Sequence, residues 1–250
     1  MDSVDILGVR VARITQDQLN GVIQQCVRDG DRHVVSYVNV HALNIAKSDS
    51  AFRNLLNMST VAYCDGEGVR MGARLLGKHL PPRIVLTYWI WDLCAVCVQN
   101  RFSVFFLSGL PETVEEAVCA LRRRFPTLNI AGSHHGYFDR NGSANDEVLG
   151  IIERASPDIL FVGFGMPAQE HWINRNLSRL NARVILTSGS MIEYVAGTRK
   201  VAPSWMAENG LEWLFRLVQE PGRLWKRYVI GNPLFIGRAL MQLLREGRQR

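Results

Sequence analysis

Short apolar runs alternate along the chain with longer segments in which apolar residues recur every three or four positions. His33–Val38, Thr60–Cys64, Ser103–Leu107, Ile159–Val162 and Arg183–Thr187 are short and rich in Val, Ile and Phe, and each reads as a buried strand. Between them, Gln16–Arg28, Ser50–Met58, Val69–Leu76, Pro111–Arg124, Asn145–Ala155 and Ala168–Leu177 carry helical periodicity. Phe52, Leu55 and Leu56 show the i, i+3, i+4 spacing of one helix face. Strand and helix in alternation predict an α/β fold, a mostly parallel sheet covered on both faces. No internal repeat or low-complexity linker interrupts the chain, and the clearest change of composition falls at Gly197–Pro203. The expected division is a core over 1–198, with halves of about 1–100 and 101–198, followed by a helical appendage over 199–250.

Three strands run into glycine-containing loops: Ser108-Gly109-Leu110-Pro111, Gly163-Phe164-Gly165-Met166-Pro167 and Ser188-Gly189-Ser190. Ligands of open parallel sheets bind beyond the carboxyl ends of the strands. Glycine lets a phosphate approach the backbone there, and the following helix N-terminus favours its charge. The second half therefore reads as a Rossmann-like nucleotide-binding half. Gly163 to Ala168 fits the G-x-G-x-x-A dinucleotide pattern, but the next strand ends in Leu186-Thr187-Ser188 without the acid that a nicotinamide ribose requires. Asp29-Gly30-Asp31 has the form of a metal-binding D-x-D but precedes a strand, so it reads as a helix-to-strand turn. Cys94 and Cys97 form a lone C-x-x-C pair and read as core thiols. The six histidines show no ligand spacing, and His134-His135 reads as an exposed loop pair. Asn39 and His41 follow one strand and Asp65 follows another. A carboxylate at that place either caps the next helix or faces the cleft as a general base, and spacing alone does not choose.

Composition adds a class and a partner. At 47% apolar and 21% charged residues the chain is globular rather than disordered. Five irregularly spaced cysteines argue against a disulfide scaffold. The acidic first residues lack a secretory pattern and no uncharged apolar run reaches spanning length, so the expectation is a soluble or peripheral protein of a reducing compartment. The net charge of +6 is uneven. From Arg199 onward ten basic residues face four acids, whereas the preceding body is balanced at 19 of each. The same tail holds Trp205, Trp213 and Trp225, three of the six tryptophans. A basic, aromatic-rich tail on a neutral body calls for an anionic partner. A nucleic-acid-binding module is one reading, but the tail aromatics alternate with Leu and Val, which favours an apolar face over a stacking groove.

Several segments together resemble the WecG/TagA/CpsF glycosyltransferases, glycosyltransferase family 26. They are Val34-Val35-Ser36-Tyr37-Val38-Asn39-Val40-His41, Asp65-Gly66-Glu67-Gly68-Val69 with Leu75-Leu76-Gly77, Arg83, and Phe105-Phe106-Leu107-Ser108-Gly109. Next come Val162 to Ile173 with Gly163-Phe164-Gly165-Met166-Pro167-Ala168-Gln169-Glu170-His171, then Ala196-Gly197-Thr198-Arg199-Lys200-Val201-Ala202-Pro203, Gly210 to Leu217 and Gln219-Glu220-Pro221. The likeness spans about residues 5–230, and its specificity lies in the order and spacing of the pieces.

The resemblance implies an inverting, metal-independent transfer of a hexose-type sugar in bacterial surface or exopolysaccharide synthesis. The sugar would be N-acetylmannosamine, its uronic acid or glucose. It would pass from a UDP-sugar to a polyprenyl-diphosphate-linked saccharide, with UDP-sugar as substrate and no cofactor. The first half then holds acceptor and base, with Asp65 as base and Asn39 and Arg83 beside it. Substrate-binding positions implied are Tyr37, His41, Gly109, Gly163, Gly165, Gln169, Glu193, Arg216, Arg223 and Lys226, the last three offering charge to the diphosphate. The appendage would close over the site and touch an anionic membrane surface, placing the protein on the cytoplasmic, inner face of the cell membrane. A homo-oligomer is compatible with this reading, and nucleic acid is not a partner in it. The chain departs from the family pattern at Tyr37, where Thr is frequent, at Ile192-Glu193-Tyr194, where F-D-F is frequent, and at Lys226, which keeps an arginine's charge without its fork.

Overall fold

The computed structural model describes residues 1–247, so Arg248 and Arg250 of the basic tail lie outside the described residues. The chain opens on a hairpin, β1 (Ser3–Ile6) and β2 (Val9–Ala12). It continues through α1 (Gln16–Asp29), β3 (His33–Val38), α2 (Val40–Ser48), α3 (Ser50–Met58), β4 (Val61–Cys64), α4 (Glu67–Leu75) and α5 (Leu86–Asn100). The second half runs β5 (Ser103–Ser108), α6 (Pro111–Arg124), β6 (Asn129–His134), α7 (Ser143–Ala155), β7 (Ile159–Gly163), α8 (Ala168–Asn176), β8 (Val184–Thr187) and α9 (Met191–Val195). The appendage holds α10 (Ser204–Glu208), α11 (Glu212–Gln219), α12 (Pro221–Trp225), a π-helical turn Lys226–Ile230 and α13 (Gly231–Gly247).

Six strands form one sheet in the order β4-β3-β8-β7-β5-β6, every neighbouring pair parallel. Helices cover both faces. Val104 and Phe106 of β5 face a core built with α1, α5 and α6, whereas Phe105 and Leu107 face one built with α7 and α8. Burial on both sides is why these strands read as unbroken apolar runs rather than as alternation. The α/β expectation is borne out, the C-terminal helices included.

Local chemistry sets several boundaries. Thr15 and Gln18 form a capping box at the start of α1. Gly30 ends that helix in the left-handed region at φ 91°, and Asp29 accepts the Asp31 N–H at 3.1 Å, so Asp29-Gly30-Asp31 is the expected turn. Cys94 and Cys97 are buried core thiols. His134 is a correction: it ends β6 and both it and His135 are half-buried, so the pair is not an exposed loop.

The appendage is docked along the core. In α13, Phe235 enters the cluster formed by the hairpin, α2, α3 and α4, with its ring over Gly72, where a Cβ would collide with it. Leu7 N–H donates to Gln242 Oε1 at 2.8 Å, Arg238 Nη1 donates to Asn44 Oδ1 at 2.9 Å, and Lys78 pairs with Glu246 at 3.0 Å. No helix among the described residues is long and apolar enough to cross a membrane. Val218, Val229, Ile230, Leu234, Met241 and Leu244 are nevertheless exposed. Truncating a buried Phe leaves a cavity as well as losing its transfer energy, so Phe235→Ala is expected to cost about 3–5 kcal/mol in denaturant unfolding. A loss below about 1 kcal/mol would show that α13 is not part of the core.

Candidate active site

The carboxyl ends of β3, β4, β5, β7 and β8 open into one cleft of about 600 Å³, roofed by the appendage. Asn39 leaves β3 in extended backbone and starts α2, its Oδ1 accepting the Ala42 N–H at 3.1 Å. The β3–β4 ladder continues one step further, Asp65 N–H donating to Val38 O at 2.9 Å. That bond sets Asp65 beside Asn39, whose Nδ2 points at Asp65 Oδ2 from 3.5 Å. The choice left open for Asp65 is resolved: the N-cap of α4 is Gly66 and no side chain caps it. The Asp65 carboxyl faces the cleft instead.

Burial pushes that carboxyl up to about 6, against the opposing pull of Arg216, the Asn39 hydrogen bond, Arg83 and Arg227. It is a group poised to exchange a proton near neutral pH. Burial, reinforced by Arg227, drives the His41 imidazole down to about 4, so this ring stays neutral under the same conditions. Tyr37 is pushed well above its ordinary range by burial and by the Glu170 and Asp65 carboxylates, so it stays a neutral hydroxyl.

The opposite wall is cationic. Arg216, Arg223, Lys226 and Arg227 from the appendage line the cleft, with Arg199 and Arg140. Arg216 donates from Nη2 to Ser190 Oγ at 3.3 Å, and its buried Nε has no hydrogen-bond partner among the described residues. Arg199 pairs with Glu193 at 2.6 Å and with Glu220 at 3.0 Å, and Glu220 also pairs with Arg223. Gly109, Gly165 and Gly189 line the same cleft with φ of 68°, 80° and 53°, left-handed conformations that bring bare backbone to its surface. Cations gathered on one wall of a cleft can stabilise a leaving diphosphate.

The structure thus gathers Tyr37, Asn39, His41, Asp65, Gly109, Gly163, Gly165, Glu193, Arg216, Arg223 and Lys226 around one cavity. Two expected residues stand elsewhere. Arg83 does not line it: Arg83 ion-pairs with Glu212 and donates to Ala207 O at 2.9 Å, clasping the appendage. Gln169 is fully buried behind the glycine loops. Sequence reasoning missed Arg199 as a cleft residue, and it missed Tyr137 and Arg140 because the polar strand β6 that delivers them carries no apolar run. It also missed that Cys26, Asp29 and His33 converge, with ligand atoms within 4.8 Å of one another, although none of them lines the cleft. The nicotinamide reading fails on geometry: β8 ends in Thr187 without an acid, and Glu193 is paired with Arg199.

A model of the "Glycosyl transferase WecG/TagA/CpsF family" matches residues 4–249. The chain is also similar to N-acetylglucosaminyldiphosphoundecaprenol N-acetyl-beta-D-mannosaminyltransferases of Staphylococcus aureus. With that of strain MW2 it shares 30% identity over 226 residues, covering 90% of this chain and 86% of the relative. The relatives from strains NCTC 8325 / PS 47 and COL match at the same identity and coverage. A match across nearly the whole chain, in a fold whose strand ends open into one cleft, bears out the resemblance carried by the motifs: this chain is a glycosyltransferase of the WecG/TagA/CpsF family.

Proposed function

We propose that the protein transfers N-acetylmannosamine from UDP-N-acetylmannosamine to a polyprenyl-diphosphate-linked N-acetylglucosamine, with inversion at the anomeric carbon and without a metal. The observation that carries this reading is a carboxyl pushed up to about 6 across a cleft from arginine N–H donors that have no hydrogen-bond partner among the described residues. Asp65 takes the proton of the acceptor hydroxyl as that oxygen attacks the anomeric carbon. The bond to UDP breaks on the opposite face, and the electron pair leaves with UDP. Arg216, Arg223 and Lys226 balance the charge that grows on the diphosphate. The names of the Staphylococcus aureus relatives supply the choice of sugar and acceptor.

The appendage serves the lipid half of the substrate in this proposal. Its exposed Val229, Ile230, Leu234 and Leu244 lie on the elements that carry Lys226, Arg227 and Arg245. Apolar insertion and attraction to anionic headgroups then act together on the cytoplasmic face of the cell membrane.

The test is release of UDP from a panel of UDP-sugars in the presence of a short polyprenyl-diphosphate-linked N-acetylglucosamine. UDP-N-acetylmannosamine is expected to be turned over fastest, and only with acceptor present. Asp65→Asn is expected to slow transfer by about 10²-fold or more, the scale of general-base catalysis, while UDP affinity stays near wild type. The folded protein holds this carboxyl above its ordinary 3.8, so ionising it costs stability as pH rises from there through about 6. Asp65→Asn is therefore expected to melt no lower than wild type at neutral pH. Full transfer activity in Asp65→Asn would remove the residue from the chemistry.

The charge compensation assigned to arginines leads to a second expectation. Transfer should continue at its full rate in EDTA, because cationic side chains occupy the place of a bridging metal and the D-x-D of the chain is a turn outside the cleft. Activity lost on chelation and regained with Mg²⁺ or Mn²⁺ would overturn this.

A further inference from the structure

Gln169 is placed to organise the cleft rather than to touch what enters it. Its Oε1 accepts the N–H of Gly165 at 3.3 Å and of Gly189 at 3.1 Å. Its Nε2 donates to the Tyr37 hydroxyl at 3.3 Å and to Glu170 Oε1 at 2.8 Å. A primary amide offers two donors and two lone pairs, so its capacity is spent on the protein. The partners on its oxygen side are the loops that end β7 and β8, and Tyr37 stands on the cleft wall.

The remaining partner is the unusual one. Glu170 is only 4% exposed, and its Oε2 has no hydrogen-bond partner among the described residues. It borders a separate small cavity of about 70 Å³, with Ser36, Ile173 and Thr187. Burial pushes its carboxyl up to about 7, opposed only by the Gln169 hydrogen bond and its own backbone N–H. A carboxyl buried without a counter-ion costs stability that a leucine of similar volume would not. The amide it holds has a preferred sense. Reversed, the Gln169 NH₂ would face two backbone N–H groups, donor against donor, while its oxygen would face a carboxylate. Whether ionised or protonated, Glu170 keeps an oxygen able to accept from Nε2, so together with the two backbone N–H groups it holds the observed orientation.

We propose that Glu170 is a positioning residue: by fixing the amide of Gln169 it braces the two glycine loops and Tyr37 at the nucleotide end of the cleft. That this end takes UDP rests on the function proposed above.

The test compares full-length Glu170→Leu and Glu170→Gln with wild type by amide hydrogen exchange at Gly165 and Gly189, melting temperature and UDP titration. In Glu170→Leu both amides are expected to exchange about tenfold faster or more, and UDP to bind about tenfold more weakly, while the melting temperature stays level or rises. In Glu170→Gln the side-chain carbonyl still accepts from Gln169, and both readouts should return to within about threefold of wild type. Unchanged exchange in Glu170→Leu overturns the brace, whatever UDP does. A melting temperature that falls together with binding reduces Glu170 to a structural role, and failure of Glu170→Gln to restore protection overturns the orientation argument. Exchange that changes as expected in a protein that never binds UDP supports the brace and overturns the donor reading.

Discussion

The Asp65 carboxyl is withdrawn from water at the end of β4, and most of the cations that keep it ionisable come from the far end of the chain. Desolvation alone favours the protonated acid, and Arg216 and Arg227 act against it together with Asn39 and Arg83. The balance leaves the group near 6, between an inert carboxylate and an acid too weak to ionise. The parallel sheet makes the arrangement possible, because it delivers Asn39, Asp65 and three glycine loops to a single edge.

Those cations must be held in place across a large gap in sequence, and the appendage is fastened accordingly. Phe235 occupies the core, Arg83 clasps Glu212, and Glu220 joins Arg223 to Arg199 at the start of the appendage. Arg83 thus contributes to the site at a distance: it lowers the Asp65 carboxyl electrostatically while its hydrogen bonds serve the docking of the tail. The same segments expose apolar side chains, and Ile230 and Leu234 stand with the cations on the cleft wall. A lipid-linked diphosphate has that same division of polar and apolar parts.

The fold was legible wherever burial on both faces wrote unbroken apolar runs, as in β3, β5, β7 and β8. It was obscure where that signal fails. The sequence Asn129–His134 of β6 is polar and half-buried, and the hairpin strands β1 and β2 interleave exposed positions with buried ones. Helix α5 is apolar around most of its circumference, which erases the period of an amphipathic helix. In the site, Asp65 and the glycine loops were readable because strand ends point to ligands in such sheets. Arg140, Tyr137 and Arg199 were not, since only tertiary structure brings their loops to the cleft. Gln169 was read as a substrate contact from its motif, and only the hydrogen-bond geometry places it behind the wall.

The balance at Asp65 is tested most directly by the acid limb of kcat/KM for sugar transfer, measured in wild type and in Arg216→Gln. That limb reports the free enzyme's essential base. A midpoint near pH 6 is expected in wild type, and a midpoint displaced to higher pH in Arg216→Gln, because Arg216 leads the influences that oppose burial. A wild-type limb near the ordinary aspartate value, or one that does not move when Arg216 is neutralised, would contradict it.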